Sequence, residues 1–154
     1  MGRYAPTVIV EIQALVTDCQ YGNPRRLAVG LDQNRLAMLL VVLTRHGGIA
    51  TASDEIYANV VGGIRVTETS SDLAIVASIV SSLRNKVVSQ EAFFFGELGL
   101  NAVANGHARL NDAAKHGFKK AVIPKGNAPK KAIAGLEIHA VTTLTEMLNI
   151  LFEI

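Results

Sequence analysis

Hydrophobic spacing along the chain switches between two periods, and the switches mark its elements. Ala5 to Val16 is β-branched and alternates weakly (Thr7, Val8, Ile9, Val10, Ile12), which predicts a strand. Asp18 to Pro24, with Gly22-Asn23-Pro24, predicts a turn-rich loop, and Arg26 to Leu31 a second short strand. Asp32 then caps a helix whose Leu36, Leu39, Leu40 and Leu43 recur at i, i+3, i+4 and i+7, ending at Gly47-Gly48. Ile56 to Val61 predicts the next strand. A helix follows Ser70, with Leu73, Val76, Ile79, Val80 and Leu83 on one face and Ser78, Ser81 and Ser82 on the other.

Ala92 to Phe95 predicts a buried strand, followed by a turn region at Gly96-Glu97-Leu98-Gly99. A helix from about Gly106 ends at Gly117, with Lys115 and His116 in its last turn, where cations suit the dipole. Ala121 to Ile123 is a strand ended by Pro124, and Ile138 to Val141 is another. Thr143-Leu144-Thr145-Glu146 forms a capping box that opens the last helix. Strands interleaved with helices, without repeats or an internal linker, predict one α/β domain over residues 1–154.

Two helix starts carry candidate chemistry. The stretch from Val60 to Ala77 reads as a strand and tight turn delivering Ser70 onto the first turn of a helix, as a peptidase presents its nucleophile. Asn105-Gly106-His107-Ala108-Arg109 opens the next helix, where the partner base of such a serine is expected. A lysine there would deprotonate the serine; this chain has His107. Histidine can act as a base, with an unperturbed pKa of about 6.5. A Ser/His pair also needs an orienting group and oxyanion donors, and no such set is visible. The plainer reading makes Ser70 a helix N-cap and its catalytic position vestigial.

With 154 residues and 49% hydrophobic content, the chain is long enough for a proper core. Its longest apolar run, Leu36 to Leu43, is far below a membrane span, and no secretory signal opens it. A cytoplasmic protein without membrane contact is expected. The single Cys19 excludes an intramolecular disulfide and a cysteine-rich zinc site, and His46, His107, His116 and His139 lack zincin spacing. Neither a P-loop nor a G-x-G-x-x-G occurs, so no cofactor is expected in this domain.

Charge changes the picture more. Lys115, Lys119, Lys120, Lys125, Lys130 and Lys131 give residues 115–131 a charge of +6 with no acid among them; against a net +2, the remainder carries −4. This predicts one basic face or edge on an acidic domain, either a solvated rim or a phosphate-binding surface. Charge alone favours the rim. Few aromatics and no Trp argue against base stacking.

These residues also carry a family resemblance. The strings Val10-Glu-Ile-Gln-Ala-Leu-Val16, Asn23-Pro-Arg-Arg-Leu-Ala-Val-Gly-Leu-Asp-Gln-Asn-Arg-Leu-Ala-Met-Leu-Leu40, Asn59-Val-Val-Gly-Gly-Ile-Arg-Val-Thr-Glu-Thr-Ser70, Phe95-Gly-Glu-Leu-Gly-Leu100 and Ala113-Ala-Lys-His-Gly-Phe118 cover nearly the whole chain. They resemble the C-terminal domain of the RadA (Sms) family of bacterial DNA-repair proteins. That domain is similar to the proteolytic domain of Lon, within the ribosomal-protein-S5-like α/β fold. Thr69-Ser70-Ser71-Asp72 matches the Pro-Ser-Ala-Gly-like context of the Lon serine, and His107 aligns with the Lon lysine. Asp72 replaces the glycine whose small size leaves backbone N–H groups accessible beside the nucleophile. Between Leu100 and Ala102 the chain is about four residues short of the family pattern, a hairpin tip deleted or left out; the intact flanks favour the second.

The resemblance implies a larger parent with a four-cysteine zinc finger and a RecA-like ATPase domain, hence ATP, Mg and Zn in the parent. It implies branch migration of recombination intermediates, a hexameric ring, single-stranded and branched DNA as ligands, and a RecA-type recombinase as partner. On this reading the domain is a non-catalytic scaffold whose DNA contacts fall on Lys115, Lys119, Lys120, Lys125, Lys130 and Lys131, with Arg109 a possible addition. The alternatives are an active Lon-like serine peptidase using Ser70 and a small-molecule-binding α/β module.

Overall fold

A computed structural model describes residues 9–154 and is mixed α/β. Strands β1 (Ile12–Asp18), β2 (Arg26–Val29) and β3 (Asp54–Val60) form one sheet in the order β1-β3-β2. There β3 pairs antiparallel with β1 and parallel with β2, so that Leu15, Tyr57 and Leu27 stand in one row. Strands β4 (Ala92–Phe94), β5 (Lys120–Pro124) and β6 (Glu137–Val141) form a second, parallel sheet in the order β4-β5-β6. The helices are α1 (Gln33–Gly47), α2 (Asp72–Arg84), α3 (Gly106–Lys115) and α4 (Leu144–Ile150).

The larger core cluster joins Leu36, Leu39 and Leu43 of α1, Ile56 of β3, Leu73, Val76 and Ile79 of α2, Val122 of β5 and Met147 of α4. A smaller cluster, Phe95, Leu110, Ala121, Ile123 and Leu136, lies between the second sheet and α3. Residues of β5 alternate between the two clusters, so the parallel sheet is covered on both faces, as such sheets require. The first sheet is covered on one face only: Leu15, Leu27 and Val29 are exposed on the other.

Helix α2 corrects the expectation of a one-sided helix. Ile75 and Ala77 are buried along with Leu73, Val76, Ile79 and Val80, while Leu83 is half-exposed. A helix apolar all round belongs in the interior. Two of its serines face β1 rather than water. Ser78 Oγ donates to Ile12 O at 3.1 Å, and Ser82 Oγ accepts from Val16 N at 2.9 Å. Across the same sheet, the Gln33 amide donates to Arg26 O and accepts from Ala28 N at 2.8 Å. Side chains thus seal both margins of the first sheet, where free backbone groups would invite another strand.

Local signals set most boundaries. Asp32 accepts from Asn34 N at 3.1 Å and Gly48, at φ 68, ends α1. Thr143 accepts from Glu146 N at 3.1 Å, but Glu146 reaches back to Thr142, not Thr143, so only half of the capping box closes as expected. Strand β1 starts at Ile12 and runs on to Asp18; residues Ala5 to Val8 of the expected strand lie outside the described residues. Among the described residues, no helix is long and apolar enough to cross a membrane.

Candidate functional site

The parallel sheet brings the candidate residues to the C-terminal ends of its strands. Ser70 sits in a 3-10 turn, Thr69–Ser71, immediately before α2. No strand delivers it directly: β3 ends at Val60, and residues 61–68 follow an irregular path. The turn is pinned by backbone bonds to the residue after Phe95. Gly96 N donates to Ser70 O at 2.8 Å, and Leu73 N donates to Gly96 O at 3.0 Å.

Ser70 is not the helix N-cap. Ser71 occupies that position and makes no side-chain cap bond; its Oγ donates to Glu68 O at 2.8 Å. Ser70 Oγ instead donates to Glu68 Oε2 at 3.0 Å and accepts from Arg109 Nη1 at 3.3 Å. Arg109 completes the triangle with Nη2 on Glu68 Oε2 at 3.2 Å. Its Nε donates to Ala104 O at 3.1 Å, and the guanidinium lies 5.8 Å from the Phe95 ring centroid. Hydrogen bonds from Arg109, and secondarily Ser70, hold the Glu68 carboxyl below its ordinary value. A carboxylate of lowered basicity is a poor general base, and a guanidinium accepts no proton at all.

Asp72, two residues after the serine, is committed to partners of its own. It is 0% exposed at the start of α2, with Arg35 Nε donating to Oδ1 at 3.0 Å and Arg35 Nη2 to Oδ2. Leu98 N also donates to Oδ2, at 3.3 Å. Burial pushes the Asp72 carboxyl above its ordinary value, against the pull of Arg35.

His107 takes no part in this network. It is exposed, and among the described residues no hydrogen bond joins it to Ser70. With Gly126, Asn127, Ala128, Pro129, Lys130 and Lys131 it lines a shallow, open depression of about 470 Å³. Asn127 positions this edge, because its amide donates to Val103 O at 2.8 Å and accepts from Val103 N at 2.7 Å. A Cβ on Gly106 would collide with the Asn127 side-chain amide, which its two bonds to Val103 hold in place, so glycine suits the start of α3.

The lysine run does not make one face. Lys125, Lys130 and Lys131 follow β5, at the end where α3 begins. Lys115 ends α3, while Lys119 and Lys120 stand at the opposite end of β5, roughly 15 Å away at about 3.3 Å per strand residue. Lys119 also lies 3.8 Å from Glu91, both exposed. Sequence reasoning found Ser70, Asp72 and Arg109 but missed Glu68 and Arg35 as their partners. Glu68, two residues before Ser70, offered a local signal; Arg35, 37 positions from Asp72, offered none.

Fold and site together define a mixed α/β domain whose serine is held by a glutamate and an arginine, and which carries a lysine-edged depression at the start of α3. No family model matches the chain. It is similar to curated proteins named DNA repair protein RadA. With the one from Pseudomonas aeruginosa it shares 54% identity over 150 residues, covering 95% of this chain and 33% of that protein. With Escherichia coli the identity is 50% over 147 residues (93% and 32%), and with Aquifex aeolicus 41% over 149 residues (94% and 33%). The chain is homologous to a C-terminal portion of RadA, spanning about a third of the length of the curated relatives it matches.

Proposed function

We propose that this chain is a non-catalytic, DNA-contacting and self-associating part of a RadA-type DNA repair protein in the bacterial cytoplasm. The parent would use ATP to process recombination intermediates, as the family resemblance implies. The observation that carries the DNA reading is the grouping of Lys130, Lys131 and His107 around one open depression at the start of α3, with Lys125 next in the chain to its Gly126 wall. Ammonium groups without interleaved aromatics suit phosphates rather than base edges, so the contact is sequence-independent. Arg109, already bonded to Glu68, Ser70 and Ala104, acts here as a positioning group.

Replacing Lys125, Lys130 and Lys131 together by Ala is expected to reduce the log–log salt slope of DNA binding by roughly 0.7 to 0.9 for each phosphate no longer neutralised. The matching change at Lys115, Lys119 and Lys120 is expected to have the smaller effect, because that group stands at the other end of β5. Titrations at several salt concentrations read both. An unchanged slope and affinity in the first variant would leave the lysines a solvated rim.

The serine network supports the non-catalytic half of the reading. Incubated with a fluorophosphonate probe, Ser70 is expected to label no faster than background in a Ser70→Ala control, and unfolded casein to remain intact. Labelling well above that control would restore the peptidase reading.

A further inference from the structure

We infer that the outer face of the β1-β3-β2 sheet and the outer face of α1 are the two halves of one head-to-tail contact between copies of this chain. The inference rests on the self-association reading above and is independent of DNA contact. Eight large hydrophobic side chains are exposed among the described residues, and five fall on these two faces. Leu15, Leu27 and Val29 line the sheet around Tyr57, while Met38 and Val41 stand one turn apart on α1; the five are 43 to 64% exposed. The Leu15–Tyr57–Leu27 row crosses all three strands at one level. Apolar side chains gathered this way mark contact surfaces, unlike single scattered ones.

Charge fits the faces to each other. α1 contains no acid, and its last turn carries Arg45 and His46. Around the sheet face stand Glu11, Asp18 and Glu55, the last bonded to Tyr57 Oη at 2.9 Å, against Arg25 as the exposed base. An acidic-rimmed apolar sheet thus matches a basic-ended apolar helix. The backbone margins of the sheet are sealed by Ser78, Ser82 and Gln33, so joining must use side-chain faces rather than added strands.

Geometry makes the contact heterologous. α1 packs its Leu36, Leu39, Leu40 and Leu43 against the covered side of the sheet, so its outer face and the sheet's outer face point apart. Two different patches on opposite sides of one layer cannot both close in a two-fold dimer. Each copy using both halves leads to a ring or an open chain of copies.

Mixing two variants tests this. Leu15→Glu breaks the sheet half and Val41→Glu the helix half; both positions are exposed, and unchanged thermal melting verifies folding. Leu27→Glu and Met38→Glu provide a second pair should either variant melt early. In sedimentation velocity over a concentration series, the unaltered chain is expected to associate beyond the dimer. Each variant alone is expected to associate at least about tenfold more weakly. An equimolar mixture is expected to recover a 1:1 dimer and nothing larger, since one intact half of each kind remains. A monomeric unaltered chain at every concentration would overturn both this contact and the self-association reading. Association that survives both substitutions, or a mixture that stays monomeric, would overturn this contact alone.

Discussion

Replacing Arg35 by Met is expected to destabilise the domain by about 3 to 5 kcal/mol near neutral pH, the cost of leaving a buried charge without its partner. Asp72 is fully buried and would keep only the Leu98 N–H as a polar partner. Asp72→Asn should cost less, because Arg35, 26% exposed, can turn to water and the amide oxygen can still accept from Leu98. The pH dependence has a definite sign. Burial already holds the Asp72 carboxyl above its ordinary value of 3.8, and loss of Arg35 raises it further. A raised acid favours the folded state when protonated and penalises it when ionised. The deficit in Arg35→Met therefore shrinks as pH falls through the raised Asp72 value. Urea unfolding of both proteins at about pH 7 and about pH 5 measures it; a deficit that stays constant or grows on acidification would contradict this account.

Gly96→Ala is expected to be the second large loss. Gly96 has φ 141, which side chains rarely tolerate, at a strain of about 1 to 3 kcal/mol. Its added Cβ would lie 2.8 Å from Leu73 Cδ1 and 3.0 Å from Pro124 Cγ, and overpacking a filled core costs a further ~1–3 kcal/mol. The same residue exchanges backbone bonds with Ser70 and Leu73, so the strain falls on the turn that holds the serine. Thermal unfolding gives the loss. A shift no larger than that of Gly99→Ala, whose Cβ would meet only Asn101 Nδ2 at 3.5 Å, would show that the turn is not held as tightly as described.

Elements with their own punctuation were legible in the sequence. α1 carries a strict leucine period between Asp32 and Gly48, the strand signal at Arg26 stands where expected, and the turn expected at Asp18 to Pro24 covers residues 19–25, Asp18 having joined β1. What escaped depends on residues far apart in the chain. The all-round burial of α2 requires both sheets to close over it, although its unbroken apolar run from Leu73 to Ala77 pointed to an interior position. The Arg35–Asp72 pair has no periodic signature. Neighbouring lysines read as one patch until β5 is seen to carry Lys120 and Lys125 to opposite ends of a sheet. Adjacency along the chain and adjacency in space differ most across a strand.

The sealed margins of the first sheet also bear on life at high local concentration. If copies of this domain are held side by side in an assembly, exposed strand edges would be millimolar templates for runaway β-pairing. Here both edges of that sheet are engaged, by Ser78 and Ser82 on β1 and by Gln33 on β2. Opening one requires moving either a central helix or the first turn of α1, an event close to unfolding the domain. Joints between copies can then form and come apart while each copy stays folded, and crowding them together carries no route to fibres along these edges.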